Sequence, residues 1–279
     1  MPTSPDEVAW LNQWLPAIRA TERHVMDSVC TYEQHEDFDL FKSLRFPNFY
    51  SGNGIRVHPS AAVCPIERWV QHFQKHFSPL QYRHVTILLS GDAWLSNSEA
   101  EAEATALGLR VYKETFMAVR SETLARNALT SASQTPVLLL STEDAAAGLY
   151  QLHLDESRDE DWFEDEDDFR KLFDKTLAIA HGTGTRWFVV PSPESAGRYI
   201  ASIGFFHFEG VCRLQEVITA AGFRRRGLAS ALVGAVSAHA TATGMQVTAL
   251  LADPDSEAHR LYGGLGFADL AFDVTLMRY

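Results

Sequence analysis

Cysteine is scarce in this chain. Cys30, Cys64 and Cys212 are the only three in 279 residues, and no two of them form a Cys-x-x-Cys pair. That argues against a zinc ribbon or a disulfide framework and fits a reducing compartment. Positive charge is also short: 24 Lys and Arg stand against 36 Asp and Glu, giving a net charge of -12 and a pI near 5.3. A general nucleic-acid binder would show a broad basic face, so that class is disfavoured. No apolar run approaches the roughly 18 residues of a membrane span. The first residues, MPTSPDEVAWLNQW, lack a basic start followed by an apolar core, so they do not read as a secretory signal. The expectation is a cytoplasmic protein bound to neither membrane nor nucleic acid. Two phosphate-binding patterns are missing as well. There is no Walker loop, and GNGIRV and GTGTRW each lack the third glycine of the dinucleotide fingerprint.

Apolar residues make up 46% of the chain, enough for ordinary cores. At roughly 100–200 residues per domain, the length suggests one large domain or two modest ones. Residues 1–46 read as helical, with amphipathic pieces at Val8–Leu15 and Thr21–Val29. Residues 48–57 read as strand, glycine turn, strand. Apolar residues at 66, 69, 70, 73 and 77 give helix spacing. Residues 82–90 and 110–120 read as strands, with an alanine-rich helix between them from 98. The small, polar stretch 121–135 is the candidate linker. After it come a strand at 136–141, an acidic helix over 159–181 stopped by Gly182, and strands at 186–190, 198–208 and 211–219, the last two joined by a Glu-Gly hairpin. A helix over 227–242 carries Leu228, Leu232, Val233 and Val236 as its apolar stripe. A strand at 246–252, a helix opened by Asp253-Pro254 and a terminal strand pair complete the chain. ALGLRVYKETFMAV and GLGFADLAFDVTLM echo each other faintly, which makes two related lobes plausible.

Against this acidic background, AAGFRRRGLAS (220–230) concentrates three arginines between a strand and a helix. A helix N-terminus presents unpaired N–H groups and a partial positive charge, so it attracts anions. Gly227 leaves room for close backbone approach, Ala229 keeps the next position small, and the guanidinium groups can bond phosphate oxygens. The alternative is an ordinary solvated helix start.

Arg224-Arg225-Arg226-Gly227-Leu228-Ala229 resembles the pyrophosphate loop of the GNAT superfamily, the acyl-CoA-dependent N-acyltransferases, whose pattern is Gln/Arg-x-x-Gly-x-Gly/Ala. A second signature follows in order. Residues 255–267, DSEAHRLYGGLGF, are similar to the family's Asn-x-x-Ala-x-x-Leu-Tyr-x-x-x-Gly-Phe, with Asp255 where asparagine is usual. The resemblance covers about 136–279. Residues 1–135 are similar only to the degenerate N-terminal lobe of tandem members. It implies an α/β (α+β) fold of two lobes, 1–135 and 136–279, each a mixed, mostly antiparallel sheet flanked by helices. It further implies an N-acetyltransferase that moves an acetyl group from acetyl-CoA to a small-molecule or peptide amine by direct attack, acting as a monomer or homodimer with no metal. Val217, Ile218 and Thr219, together with Arg224 to Ser230, would hold the donor. Thus Arg224, Arg225, Arg226, Gly227, Leu228, Ala229 and Ser230 form the expected loop, with Arg225 the arginine expected to face water. Glu216 would take the amine proton and Tyr262 would protonate the leaving thiolate. A surface Glu216 and a core Tyr262 are the plain alternatives, and a non-catalytic acyl-CoA sensor is the alternative for the whole protein.

Two further features remain. The acidic run 155–168 either solvates a helix start or draws in a cationic amine, with Trp162 and Phe163 lining or underlying that site. His72 and His76, four apart on a helix, could form half of a metal site whose other ligands the sequence does not name; the reading preferred for them is a packed or solvated pair.

Overall fold

The structure, a computed structural model, describes residues 4–80, 82, 84–130, 135–157 and 166–279. Helices α1 (Pro5–Asn12) and α2 (Leu15–Asp27) come first, then strands β1 (Thr31–Gln34), β2 (Phe38–Lys42) and β3 (Gly54–Val57). Helix α3 (Ile66–Phe77), strand β4 (Val85–Ser90), helices α4 (Gly91–Leu95) and α5 (Ala100–Ala106) and strand β5 (Arg110–Arg120) follow. The second half runs through α6 (Ser121–Thr130), β6 (Leu138–Leu140), α7 (Thr142–Ser157), α8 (Glu166–Thr183), β7 (Arg186–Pro191), β8 (Tyr199–Phe208) and β9 (Val211–Thr219). It ends with α9 (Leu228–Ala242), β10 (Val247–Ala252), α10 (Glu257–Leu265) and β11 (Ala268–Arg278). The fold is mixed α/β, with mostly antiparallel strands flanked by helices.

The chain divides into two compact units that do not follow the 135/136 boundary. One holds residues 1–28, 116–251 and 256–270; the other holds 29–115, 252–255 and 271–279. In the second unit the strand order is β1-β2-β3-β4-β11, with only the β3–β4 contact parallel. Its core is built on the stripe the helix spacing exposed. Ile66, Trp69, Val70, Phe73 and Phe77 of α3 are all buried, against Leu40, Ile55, Ile87 and Leu276.

In the first unit the order is β5-β10-β9-β8-β7-β6. Strands β6 to β9 are antiparallel neighbours, and β9 meets β10 in parallel. The β8–β9 hairpin turns at Glu209 and Gly210, φ +48° and +82°, the two positive angles a tight two-residue turn needs. Helices α7 and α8 bury Leu149, Phe169 and Phe173 against Trp187. Helix α2 docks through an ion pair: the Arg213 Nη2 donates to Glu22 Oε1 at 2.6 Å, with Arg213 only 9% exposed.

Several local expectations change. Residues 31–34 and 38–42 are strands, not helix. Phe49 and Tyr50 lead into a 3-10 turn, so only Gly54–Val57 is strand. The proposed linker is helical over 121–130: Ser121 starts α6 directly from β5, and its backbone oxygen accepts from Ser237 Oγ of α9 at 2.9 Å. Gly182 does not stop α8. The turn falls to Gly184, at φ +67°, while Gly182 lies within the helix where a Cβ would stand 2.5 Å from that of Ser28. Helix α10 is capped by Ser256 rather than opened by Asp253-Pro254, its hydroxyl oxygen accepting from His259 N–H at 3.0 Å. The terminal strand pair is one strand, β11. The expected echo persists at element scale: α5 and α10 each end at a left-handed glycine, Gly108 and Gly266, and each leads into an 11-residue strand.

Candidate functional site

Strand β9 has two unlike edges. On one side it pairs with β8 as far as Thr219. On the other, Val211, Cys212 and Arg213 pair with Val247, Thr248 and Ala249 of β10, and there the pairing ends. Past Arg213 the two parallel strands part, leaving an edge of β9 with backbone donors and acceptors and no strand beside it among the described residues. Glu216 sits on this stretch as a bulge. The register slips between Gly204 and Ser202, and Glu216 takes φ +51°. An extra residue with a left-handed backbone bends the strand and re-aims the peptide groups after it. Val217, Ile218 and Thr219 follow, all half-buried.

Beyond Thr219 the chain turns at 221–223 and enters α9. Arg225 has φ +63° and Gly227 has φ +79°. Successive turns of this kind direct consecutive N–H groups into one concavity. Among the described residues no side chain caps α9 at Gly227, so the donors of Leu228, Ala229 and Ser230 are left open at the helix start. A Cβ at Gly227 would meet nothing within 4 Å. Glycine is needed there for its backbone angle, and the space above it is free.

The three arginines differ. Arg224 is committed: its Nε donates to Thr219 O at 3.1 Å and its Nη2 pairs with Glu156 of α7. The other oxygen of Glu156 accepts from Ala221 N–H at 2.7 Å, so this acid clips the loop from both ends. Arg226 donates to Gly222 O at 3.0 Å and lies over the Phe223 ring at 4.9 Å. Arg225 is exposed and makes no hydrogen bond or ion pair among the described residues. The arginine expected to face water does so.

Tyr262 projects from α10, 5% exposed, with its ring against Phe267 at 5.6 Å. Burial pushes its phenol up to about 12, with the Arg213 charge opposing. It is a core aromatic and, at neutral pH, a proton carrier. The Glu216 carboxylate, 38% exposed, has its Oε2 at 4.0 Å from Nδ1 of His153 in α7. His153 is buried, and desolvation lowers its pKa while the Glu216 charge raises it. Its Nε2 is buried without a hydrogen-bond partner. Lys175 of α8 is pushed the same way by burial and steadied by Glu216. The sequence reading missed His153 and Lys175. A signal existed for the first: His153 falls on the buried face of α7 with Ala145, Leu149 and Leu152, a histidine at a core position.

The acidic run is split. Asp155 pairs with Arg198 at 3.5 Å, Glu156 holds the loop, and Glu166 accepts from the Tyr150 hydroxyl at 3.0 Å. Trp162 and Phe163 lie outside the described residues. No helix among the described residues is long and apolar enough to cross a membrane.

Residues 201–275, from β8 into β11, match the family model for FR47-like proteins. No curated protein matches the chain significantly. Among solved structures, it is similar to a conserved protein of unknown function from Staphylococcus epidermidis, at TM-score 0.69 and 10% identity over 88% of this chain and 92% of that one. It is similar to a GCN5-related N-acetyltransferase from Kribbella flavida, at TM-score 0.59 and 15% identity over 94% and 95%. A tandem GNAT protein of the clavulanic acid biosynthesis pathway gives TM-score 0.56 and 13% identity over 100% and 96%. Identities this low establish the fold: the chain folds as these GNAT proteins do, and its residues 201–275 match the FR47-like family model.

Proposed function

We propose that this protein is an N-acetyltransferase that transfers the acetyl group of acetyl-CoA to a primary amine by direct attack within a ternary complex. The observation that carries the reading is the parting of β9 from β10 after Arg213, which runs straight into the uncapped start of α9. A strand edge with free peptide groups suits the amide-bearing arm of a CoA thioester. The open N–H groups of residues 228–230, with Arg225 beside them, suit its diphosphate.

The thioester supplies the acyl carbon and the leaving thiolate; the chain supplies position and proton management. The bulge at Glu216 aims a backbone N–H of β9 toward the carbonyl oxygen, where charge develops. The Glu216 carboxylate takes the amine proton, directly or through water, with the His153 ring 4.0 Å behind it. Tyr262, held protonated by burial, delivers a proton to the departing sulfur. In this reading the unit of residues 1–28, 116–251 and 256–270 carries the reaction, and the other unit has no phosphate loop of its own. The acceptor is a small-molecule or peptide amine, with a cationic one favoured by the acids of α7 and α8.

Free-thiol release from acetyl-CoA tests the reading against a panel of polyamines, amino-acid amides, aminoglycosides and peptide N-termini. Amine-dependent release with at least one class supports it. Tight CoA binding by calorimetry with no release for any class instead supports an acyl-CoA-sensing protein on the same fold.

A further inference from the structure

The sequence pairs His72 with His76, but the fold pairs His76 with someone else. In the second unit, β1 and the turn after it bring Glu33 and His35 against the last turn of α3. The ring of His35 lies 5.0 Å from that of His76, edge on. His35 Nε2 stands 3.2 Å from Glu33 Oε1. One ligand-capable atom from each of Glu33, His35 and His76 lies within 4.8 Å of the others. His72 is not part of this group. Its ring packs on Phe38 at 4.9 Å and on Trp69 at 5.7 Å.

We propose that Glu33, His35 and His76 bind a divalent metal of the Zn2+ class and so fasten the edge strand β1 to helix α3. Two observations carry this. First, the donor set is two imidazoles and one carboxylate, which suits a four-coordinate borderline dication with water in the fourth place. Zinc–ligand bonds of about 2.0–2.2 Å in a tetrahedron put donors about 3.3–3.6 Å apart, so the widest pair here, within 4.8 Å, must close by roughly 1.2–1.5 Å, a shift within reach of side-chain rotation. Second, His35 Nε2 is buried and makes no hydrogen bond, although a carboxylate oxygen is near. Its ring is fixed by stacking on Phe38 at 4.4 Å, so the nitrogen is held facing His76 and Glu33 without the bond that usually satisfies it. A metal ion would satisfy it. Glu33 supplies the site's negative charge. The position matters structurally. Strand β1 is an edge, mostly exposed, held by β2 on one side alone, and a metal bridge to α3 would secure it.

The test uses the full-length chain, tag removed and treated with chelator, titrated with Zn2+ in competition with a chromogenic chelator. One equivalent should bind, and the thermal midpoint should rise. His35→Ala and His76→Ala should each weaken binding about 100-fold or more, and Glu33→Gln at least about tenfold, since even losing an outer partner of a ligand costs about 10–100-fold. His72→Ala should stay within about twofold of wild type. Absence of stoichiometric binding, or equal losses in the His72→Ala and His76→Ala proteins, overturns the proposal. If either histidine variant loses its native circular-dichroism spectrum, Glu33→Gln decides alone, because Glu33 is exposed; unchanged affinity there also overturns it.

Discussion

Tyr262 and His153 are both buried, and burial moves their proton equilibria in opposite directions. The phenol is pushed up to about 12 and the imidazole is pushed down. Each shift disfavours the charged form. For Tyr262 this means a proton retained throughout the neutral range, which the proposed reaction would pass to the departing thiolate. Tyr262→Phe keeps the ring against Phe267 and removes only that proton. It should lower kcat about 100-fold, the low end of general acid–base effects, while calorimetry finds CoA affinity within about twofold of wild type. An unchanged kcat would hand thiolate protonation to solvent. For His153 the consequence is a pH dependence of stability. Its folded pKa lies below the unfolded value of about 6.5, so between the two the unfolded chain binds more protons. The stabilisation is fully present above about pH 6.5 and is lost as pH falls below it. His84, His207 and His239 are shifted the same way and contribute their own shares. Thermal midpoints measured from pH 7.5 to 5 should therefore decline, and His153→Gln should make the decline shallower. An identical slope in the variant would show that this imidazole does not lose a proton on folding.

The junction between β9 and α9 is where local sequence and chemistry meet. Gly227 sits at φ +79° with open space where a Cβ would go. A side chain there meets no crowding from the protein, only the left-handed penalty of about 1–2 kcal/mol, and it projects into the ground the diphosphate would occupy. Gly227→Val should thus lower the thermal midpoint by a few degrees yet abolish CoA binding detectable by calorimetry; full affinity would sink the loop assignment. Around this junction the sequence was informative because each element is nearly self-defined. The Glu209-Gly210 turn, the nine residues of β9, the apolar stripe of α9 and the glycine at its start all follow from short-range rules. Elsewhere the signals were non-local. β1 and β2 are short strands whose only clear mark is the buried pattern of Phe38, Leu40 and Phe41, residues that need β3 beside them to settle as strand. The helix over 121–130 has small polar residues typical of a linker, and is fixed by Ser121 bonding to Ser237, Thr248 and the Gln246 carbonyl, none of them near in sequence. The site divides the same way. The three arginines stand side by side in the motif, but the engagement of Arg224 with Glu156, 65 or more residues upstream, is not local, and His153 meets Glu216 only through packing of α7.

At the scale of the whole chain, the composition change near 135 suggested a cut that the fold does not respect. The unit that carries the β9–α9 junction draws residues 1–28 and 116–135 from before the cut, and the other unit draws 271–279 from after it. These are not decorative additions. Leu11, Ile18, Phe116, Met117 and Val119 are at most 2% exposed, and fully burying such a side chain contributes about 1.5–3 kcal/mol. Five of them rival the whole stability of an ordinary domain, about 5–15 kcal/mol. Glu22 goes too, leaving the buried guanidinium of Arg213 without its carboxylate, a loss of about 3–5 kcal/mol for a buried pair. On the other side, a chain ending at 135 lacks the β11 residues that pair with β4 from Asp273 to Arg278, and with them Val274 and Leu276 of the core. Fragments 1–135 and 136–279, expressed separately, should therefore give no cooperative melting transition by calorimetry. Expressed together they should copurify as a one-to-one complex that regains it. A 136–279 fragment that melts sharply by itself and binds CoA like the full chain would show that the catalytic half is autonomous, and that the first 28 residues and β5 contribute far less than their burial implies.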